Sequence, residues 1–364
     1  MTHSYIIAAR RSPVAPRGGA LSSLTLDELA KPVLDALLAD AGITPDEIGE
    51  LIVSNALGAG GNPARIVALG AGWPERIAGL SIDRQCAGGL DALILGDALI
   101  RSGHHDIVVA GGVESYSRRP LRSRTFTDGS PPEPYDQAQF TPWPDRDPDM
   151  AEAANALAQS RNISRAAQDA WAIASHAAAN RPAPEITTVA GLSHDPFTRA
   201  LTQRHCDKAP RISGAITAAN MAVAADGAAF VVMVSERIAH TRGLPAAAFL
   251  AGATIGGDPT LPGLAPIAVI NAILDQTKTD PNMLQSAQIM EAFAVQAIAC
   301  QEGANIPRGI VNRRGGALAR GHPVGASGAI LAVQLFHDLR GTGGTGLAAI
   351  ASAGGLGSAV LLRG

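Results

Sequence analysis

The sequence predicts an α/β protein built from two similar halves, and three observations lead to this prediction. Strand-like and helix-like patterns alternate from the start of the chain, and the same order of elements recurs loosely near its end. The 364 residues are 46% hydrophobic but only 4% aromatic, so the interior must consist mainly of Ala, Val, Leu and Ile. A chain of this length exceeds the usual size of one core, so two or three packed units are expected.

The first half alternates short apolar runs with helical periodicity. In order, the predicted elements are a strand at 4–9 (SYIIAA), a helix at 24–42, a strand at 48–56, a helix-like stretch at 66–73, a helix at 90–103 and a strand at 106–112. Cys86 lies just before the helix at 90–103. This order is typical of an α/β unit with a largely buried sheet.

The C-terminal part repeats that order around a second polar residue. His322 lies in the glycine-rich turn GGALARGHPVG, followed by a predicted helix at 326–340 and two buried strands within 346–362. Cys86 and His322 thus occupy similar places, each just ahead of a helix that leads into a buried strand. We infer an internal duplication from this order of elements.

A different kind of sequence separates the two halves. Residues 118–149 begin with the basic run RRPLRSR and are rich in proline, which predicts a surface excursion without regular helix or interior strand. From Met150 the pattern is helical again, with Ser164 as a candidate N-cap. A second irregular stretch is expected at 181–211, and the core resumes near 225–236.

Charge and cysteine content narrow the function classes. A net charge of -3 and a pI near 6.3 argue against a nucleic-acid or membrane-surface protein. No secretory signal or membrane-spanning run is apparent, so we expect a cytoplasmic location. The three cysteines are far apart, which indicates neither a disulfide framework nor a zinc site, and Cys206 and Cys300 are interpreted as core residues.

Cys86 and His322 together suggest nucleophilic thiol catalysis. Cys86 lies among small residues at the start of an apolar helical stretch, in SIDRQCAGGLDAL. A thiolate is the nucleophile in such chemistry, and we expect a helix N-terminus and a nearby imidazole to lower the pKa of the thiol.

Several motifs, in the same order, resemble those of the thiolases, which make or cleave 3-ketoacyl-CoA. They span nearly the whole chain: RRSPVAPRGGAL, GGNPAR, DRQCAGGLDA, GGVESYS, SRAAQDAWAIASH, ADGAAFVVMVSE, EAFA and GGALARGHPVGASGA. The resemblance implies two βαβαβαββ halves that form a layered α/β/α/β/α core with an inserted loop domain. It places the N-terminal half at 1–117 and 224–243, the loop domain at 118–223 and the C-terminal half at 244–364.

The resemblance also implies roles for individual residues. Cys86 would be acylated by the thioester and His322 would be its base, with backbone groups at Ala353 and Gly354 near the oxyanion. Coenzyme A thioester, or an acyl-carrier thioester, would be a substrate, and no tightly bound cofactor or metal is expected. The candidate substrate contacts are Met150, Ala222, Phe293, Arg118 and Arg119. A homodimer or homotetramer is implied, and a different partner subunit is a further option.

Two departures from the family pattern bear on the chemistry. Thiolases have Asn before Glu-Ala-Phe, where it fixes a water of an oxyanion hole, but this chain has Met290 before Glu291. Their second cysteine, which moves the α-proton of the second acyl group, corresponds to Ala351 here, and a one-residue slip would place Ser352 there. Ala222 also stands where a serine usually contacts CoA.

Three functions remain open on this basis. The protein could transfer an acyl group to a substrate that supplies its own nucleophile or an already acidic carbon. It could be a thiolase whose acid or base role has moved to Ser352 or Glu291. It could instead be a non-catalytic thioester-binding partner subunit. A decarboxylating ketoacyl synthase fits poorly, because those relatives place a histidine where Met290 stands.

Overall fold

The computed structural model describes residues 3–58 and 60–364. Its strands are β1 (Ser4–Arg11), β2 (Ala15–Pro16), β3 (Glu50–Ser54), β4 (Leu80–Ile82), β5 (Ile107–Ser115), β6 (Arg122–Arg124), β7 (Glu133–Tyr135), β8 (Arg211–Ser213), β9 (Ile216–Thr217), β10 (Ala225–Ser235), β11 (Ala247–Gly256), β12 (Leu284–Ile289), β13 (Thr345–Ser352) and β14 (Leu356–Arg363). Its α-helices are α1 (Leu26–Ala41), α2 (Pro63–Gly70), α3 (Gly88–Arg101), α4 (Met150–Ser160), α5 (Arg165–Ala178), α6 (Gln203–Lys208), α7 (Glu236–Arg242), α8 (Ala265–Thr277), α9 (Ala294–Gly303), α10 (Ala317–Arg320) and α11 (Val324–Leu339).

The two halves of the main sheet have the same pairing pattern. In the first, β1 pairs with β10 and β10 with β5 in antiparallel fashion, then β3 and β4 follow in parallel. In the second, β11 pairs with β14 and β14 with β13 antiparallel, then β12 follows in parallel. At the edge of the second half, next to β12, a single parallel bridge between Ala287 and Val311 occupies the position that β4 has in the first half. The predicted duplication is confirmed by this topology.

The helices sort into layers around these two sheet halves. Among the described residues, the halves join through two residue pairs between β1 and β11. Helices α3 and α11 pack against each other and against strands of both halves, so they form the central layer. Helix α1 covers the outer face of the first half and α8 that of the second. The result is the predicted α/β/α/β/α arrangement.

Burial explains why the central elements read as uninterrupted apolar sequence. All nine residues of β5 are buried, as expected for a strand covered on both faces. All but two of the 16 residues of α11 are buried, because a helix that lies between the two sheet halves has no solvent face. Its small residues, in VGASGA, allow this packing.

The two central helices touch backbone to backbone at Gly89 and Gly328. A Cβ atom on Gly89 would lie 2.4 Å from the backbone nitrogen of Ala329, and one on Gly328 would lie 2.5 Å from that of Leu90. Glycine is therefore required for this approach. Gly89 is three residues after Cys86 and Gly328 six after His322, so the crossing brings the two candidate residues together.

The region between the halves contains more regular structure than the sequence indicated. Strands β6 and β7 form a two-stranded hairpin within the proline-rich stretch, outside the main sheet. The stretch 181–211 was expected to be irregular, but it contains α6, which begins after Thr202. The predicted cap of α5 is confirmed, since Ser164 Oγ accepts a hydrogen bond from the backbone N–H of Ala167 at 3.2 Å.

Candidate active site

Cys86 is presented by a sharp turn between a strand and a helix. After β4 the chain forms a short 3-10 turn at Gln85–Ala87 and enters α3 directly. Gln85 has a left-handed backbone with φ of 49°, which is unusual for a residue with a side chain. Asp83 stabilises this conformation, since its Oδ1 accepts from the Gln85 backbone N–H at 2.8 Å. Such local strain fixes the direction of the Cys86 side chain.

His322 approaches Cys86 from the other half of the molecule. Its backbone N–H donates to the carbonyl of Val223 at 2.8 Å, which holds the loop between α10 and α11 in place. Its ring nitrogen Nε2 lies 3.2 Å from Cys86 Sγ. The pair is therefore within hydrogen-bond distance, although 236 positions separate the residues in sequence.

Ser327 determines which nitrogen of His322 faces the thiol. The Ser327 hydroxyl donates to the Pro323 carbonyl at 2.9 Å, so its oxygen is left as an acceptor. His322 Nδ1 lies 2.6 Å from that oxygen and must carry the proton. Nε2 is then unprotonated and accepts from the Cys86 thiol. The sequence analysis did not identify Ser327, although it lies in the motif GHPVGASG.

Burial keeps both partners neutral. It raises the pKa of the Cys86 thiol to about 12 and lowers the pKa of His322 to about 4. The negative charges of Glu114 and Asp83 add to the rise for Cys86, while the neighbouring Ser352 hydroxyl opposes it. The expectation of a lowered thiol pKa was therefore wrong, because burial of the thiol outweighs the groups that favour the thiolate. The resting pair is a thiol and a neutral imidazole.

Glu114 ties the elements of the site together and was also missed. Its buried carboxylate, at the end of β5, accepts from Asn55 Nδ2 at 2.8 Å and from the Ala56 backbone N–H at 2.9 Å. It also accepts from the Gly325 N–H, in the first turn of α11, at 3.0 Å. Burial raises the pKa of Glu114 to about 7, against the opposing effect of these donors.

Cys86 and His322 open into a cavity of about 330 Å³. Much of its wall is apolar and comes from α4, the loop before it and the start of α9. Nine of the predicted site residues line the cavity: Cys86, His322, Met150, Ala222, Phe293, Arg119, Ala351, Ser352 and Ala353. Arg118, Met290, Glu291 and Gly354 are not among the lining residues.

Ala351 and Ser352 end β13 beside the nucleophile. The Ser352 hydroxyl donates to the carbonyl of Arg84 at 3.2 Å and also contacts Cys86. Ala351 has no group that could transfer a proton. Of the two positions considered for the missing cysteine, only Ser352 brings a polar side chain to the cavity.

Met290 and Glu291 point away from the cavity. Met290 is buried in the hydrophobic core, and its backbone N–H donates to the carbonyl of Ala349. Both carboxylate oxygens of Glu291 are occupied by donors: Trp171 Nε1 at 3.0 Å, Ser175 Oγ at 2.7 Å and Asn312 Nδ2 at 2.7 Å. The geometry is inconsistent with Glu291 as a relocated acid or base, because it holds the packing of α5 against the second half.

Charged residues gather at the mouth of the cavity. Arg119 forms an ion pair with Asp136 at 2.7 Å, and Arg122 donates to the carbonyl of Ala56 at 2.8 Å. The three charged residues Arg119, Arg122 and Asp136 also line a smaller adjoining cavity of about 160 Å³. Arg118, by contrast, is exposed to solvent outside both cavities.

The described residues were also searched for metal-ion ligands and for helices that could span a membrane. Across residues 3–58 and 60–364, His, Cys, Asp and Glu side chains nowhere gather in a group of three or more that could hold a metal ion. In the same part of the chain, none of the helices has the length and apolar character needed to cross a bilayer.

Comparisons of the sequence and the fold with known proteins all lead to one family. Residues 4–186 match the family model "Thiolase, N-terminal domain", and residues 244–364 match "Thiolase, C-terminal domain". YhfS of Bacillus subtilis is 35% identical over 376 residues, and VraB of Staphylococcus aureus strain COL is 33% identical over 378 residues; 99% of each chain is covered. Both are named "Putative acetyl-CoA C-acetyltransferase".

A solved structure extends the comparison to the whole fold. The crystal structure of the Bacillus anthracis acetyl-CoA acetyltransferase superimposes with a TM-score of 0.89 at 31% identity. The match covers 100% of this chain and 99% of that one. On the strength of both family models and of these full-length relatives, the chain belongs to the thiolase family of acyltransferases.

Proposed function

We propose that this protein forms an acyl-enzyme on Cys86 from an acyl-CoA thioester and passes the acyl group to a second substrate. The observation that carries the proposal is the 3.2 Å approach of His322 Nε2 to Cys86 Sγ at the wall of a 330 Å³ cavity. A thiol that lies at this distance from an unprotonated imidazole nitrogen is a nucleophile paired with its base. The names of the relatives support acetyl-CoA as a donor.

The first half-reaction follows from the neutral pair. As Cys86 Sγ attacks the thioester carbonyl carbon, its proton passes to His322 Nε2. The bond from that carbon to the CoA sulfur breaks, and the departing thiolate takes the proton back from His322. The backbone N–H of Cys86, in the first turn of its helical segment, has no intrahelical acceptor and could stabilise the oxyanion with the Ala353–Gly354 turn.

The second half-reaction has fewer groups to assist it. Ala351 supplies no proton-transfer group, and Met290 faces the core rather than the cavity. Burial lowers the pKa of His322 to about 4, which makes it a poor base toward an ordinary carbon acid. We therefore favour an acceptor that carries its own nucleophile or an already acidic carbon.

A thiolase reaction with a relocated acid or base is the second candidate. It is favoured by the contact of Ser352 with Cys86 inside the cavity and by the names of the relatives. A serine hydroxyl is a much weaker acid than a thiol, and losing a positioned acid or base costs roughly 100- to 10,000-fold in rate. The first candidate does not require this substitution to work.

Two assays on one preparation separate these functions. Cys86 acylation by acetyl-CoA is followed by intact-protein mass spectrometry, and thiolysis of acetoacetyl-CoA by release of acetyl-CoA. Acylation without thiolysis is the expected result. Acylation together with rapid thiolysis supports the relocated thiolase, and thiolysis in wild type that disappears in Ser352→Ala identifies the residue. Failure of both assays contradicts the proposal and favours a non-catalytic partner subunit.

We also infer that the protein assembles with copies of itself. Nine large apolar side chains are exposed among the described residues, and two of them mark a candidate contact surface. Leu80 lies on the edge strand β4, and Leu121, which is 98% exposed, lies next to the β6–β7 hairpin. An edge strand presents unpaired backbone N–H and C=O groups, so it is a surface on which another chain can pair. Light scattering that gives the mass of a dimer or tetramer is the expected result, and a monomer at micromolar concentration would exclude this assembly.

A further inference from the structure

Tyr116 is a cavity residue that the known motifs leave without a role. It follows β5 directly and lines the same cavity as Cys86 and His322. The residues on either side of it are fixed by the buried carboxylate of Asp226. That carboxylate accepts from Ser115 Oγ at 3.3 Å and from the Ser117 backbone N–H at 3.0 Å. The backbone at Tyr116 is thus held on both sides.

The ring itself is also restrained. The Arg119 guanidinium lies 5.8 Å from the centroid of the Tyr116 ring, a cation–π contact. Arg119 is in turn held by Asp136 at 2.7 Å. A phenol positioned by its backbone and by one ring face is preorganised, and its hydroxyl does not need to be ordered when a substrate binds.

The hydroxyl is a free donor. Within residues 3–58 and 60–364, Tyr116 makes no side-chain hydrogen bond. Burial, together with the negative charge of Glu114, raises the pKa of its phenol above the ordinary value. The group therefore stays protonated at neutral pH and can donate but not act as a base.

The other polar side chains on the cavity wall are already engaged or lie at its mouth. Gln85 donates to Asp83, Gln296 to Cys300, Ser352 to Arg84, and Arg122 to Ala56, while Arg119 pairs with Asp136. Gln137 is exposed to solvent. Among the described residues, and apart from the catalytic pair, Tyr116 thus brings to the cavity interior a donor with no hydrogen-bond partner of its own.

The chemistry of the second half-reaction requires such a donor. An acceptor carbon must already be acidic, since neither His322 nor Ala351 could remove the proton of an ordinary carbon acid. Carbon acids of that kind carry the attacking carbon between two carbonyl groups, and their enolate places negative charge on oxygen. A neutral donor in a desolvated site stabilises that charge.

We propose that Tyr116 donates a hydrogen bond to the enolate oxygen of a 1,3-dicarbonyl acceptor during transfer of the acyl group from Cys86. This inference rests on the proposed function. The acceptor carbon forms a bond to the acyl carbonyl carbon, and the bond from that carbon to Cys86 Sγ breaks. The acceptor loses one proton and the Cys86 thiolate gains one, carried by His322, so no other reactant is consumed.

The test compares Tyr116→Phe with wild type and with Tyr5→Phe, a tyrosine on β1 outside the cavity. Each protein is acetylated with acetyl-CoA, freed of excess donor and mixed with either 2,4-pentanedione or hydroxylamine. Loss of the acetyl group from Cys86 is followed by intact-protein mass spectrometry. Hydroxylamine is the control acceptor, since it attacks without forming an enolate.

We expect Tyr116→Phe to be acetylated at the wild-type rate, to discharge to 2,4-pentanedione about 100-fold more slowly and to discharge to hydroxylamine normally. Equal slowing with both acceptors would mean that Tyr116 only shapes the cavity, and unchanged rates would mean that it has no role; either result overturns the inference. So does a wild-type acetyl-enzyme that 2,4-pentanedione discharges no faster than water. If wild type is not acetylated at all, the proposed function itself fails, and this is visible before any acceptor is added.

Discussion

His322 Nδ1 lies 2.6 Å from Ser327 Oγ, and this contact leaves Nε2 as the acceptor that faces the Cys86 thiol. Ser327 lies in the first turns of α11, where its hydroxyl proton is already donated to Pro323. The central helix α11 therefore fixes the tautomer of His322, which lies just before it in the chain.

Ser327→Ala should slow acylation of Cys86 by about 10- to 100-fold, because the imidazole is then free to adopt the other tautomer. The free energy of unfolding should fall by only about 1 kcal/mol. Intact-protein mass spectrometry of samples quenched at successive times after addition of acetyl-CoA measures the acylation rate. The nitrogen-15 NMR chemical shifts of the His322 ring report the tautomer. Ser102→Ala, at the exposed end of α3, is the matched control. A mutant that keeps both the wild-type acylation rate and a single tautomer would show that Ser327 has no positioning role.

Cys86 should carry no thiolate in the resting protein. Its folded pKa of about 12 lies above that of an ordinary thiol, so the thiol form predominates throughout the neutral range. We expect the absorbance at 240 nm to be the same for wild type and Cys86→Ser between pH 6 and pH 9. Cys206 and Cys300 are common to both proteins and cancel. An excess absorbance in wild type at pH 6 that disappears in His322→Ala would reveal an ion pair and contradict this prediction.

Glu114 should make stability depend on pH. Its folded pKa of about 7 lies above the ordinary value of 4.5, so the folded state binds this proton more tightly than the unfolded state. The corresponding stability is present below pH 4.5 and lost as pH rises through 7. From pH 5 to pH 8, wild type should lose up to about 3 kcal/mol relative to Glu114→Gln. Denaturant unfolding at several pH values measures this difference, with Glu75→Gln as an exposed control. Parallel curves for wild type and Glu114→Gln would exclude it.

Ala351→Cys should restore part of the missing chemistry. Ala351 lines the cavity beside Cys86, and a thiol there could move the α-proton of a second acyl group. We expect thiolysis of acetoacetyl-CoA to rise by about 100-fold over wild type, while acylation of Cys86 is unchanged. Ala154→Cys, which places a thiol on α4 at the wall of the same cavity, is the control. If wild type already cleaves acetoacetyl-CoA rapidly and Ala351→Cys adds nothing, the account of this position is mistaken.

Local patterns were sufficient to predict much of the fold. The alternation of short apolar runs and helical periodicity predicted β1, α1, β3 and α3 to within a few residues, because each element has its own period and end signals. The duplication could be inferred from the order of elements around Cys86 and His322. Helix α6 was missed, since six residues offer too little periodicity to recognise.

The site was harder to predict, because its contacts join distant parts of the chain. Glu114 meets Gly325 across 211 positions, and no local pattern in GGVES reveals that partner. The thiol pKa was predicted in the wrong direction, because the sequence indicates a helix start near Cys86 but not how strongly the surrounding structure desolvates the thiol. Glu291 was considered as an acid or base, yet its donors come from α5 and from Asn312.

The central claim is that Cys86 accepts an acyl group with His322 as its base. The most direct measurement is intact-protein mass spectrometry of wild type, Cys86→Ala and His322→Ala after incubation with acetyl-CoA and with longer acyl-CoAs. The account predicts a gain of one acyl group on wild type, none on Cys86→Ala and a much slower gain on His322→Ala. A wild type that remains unmodified by every donor, or a gain that persists in Cys86→Ala, would contradict it.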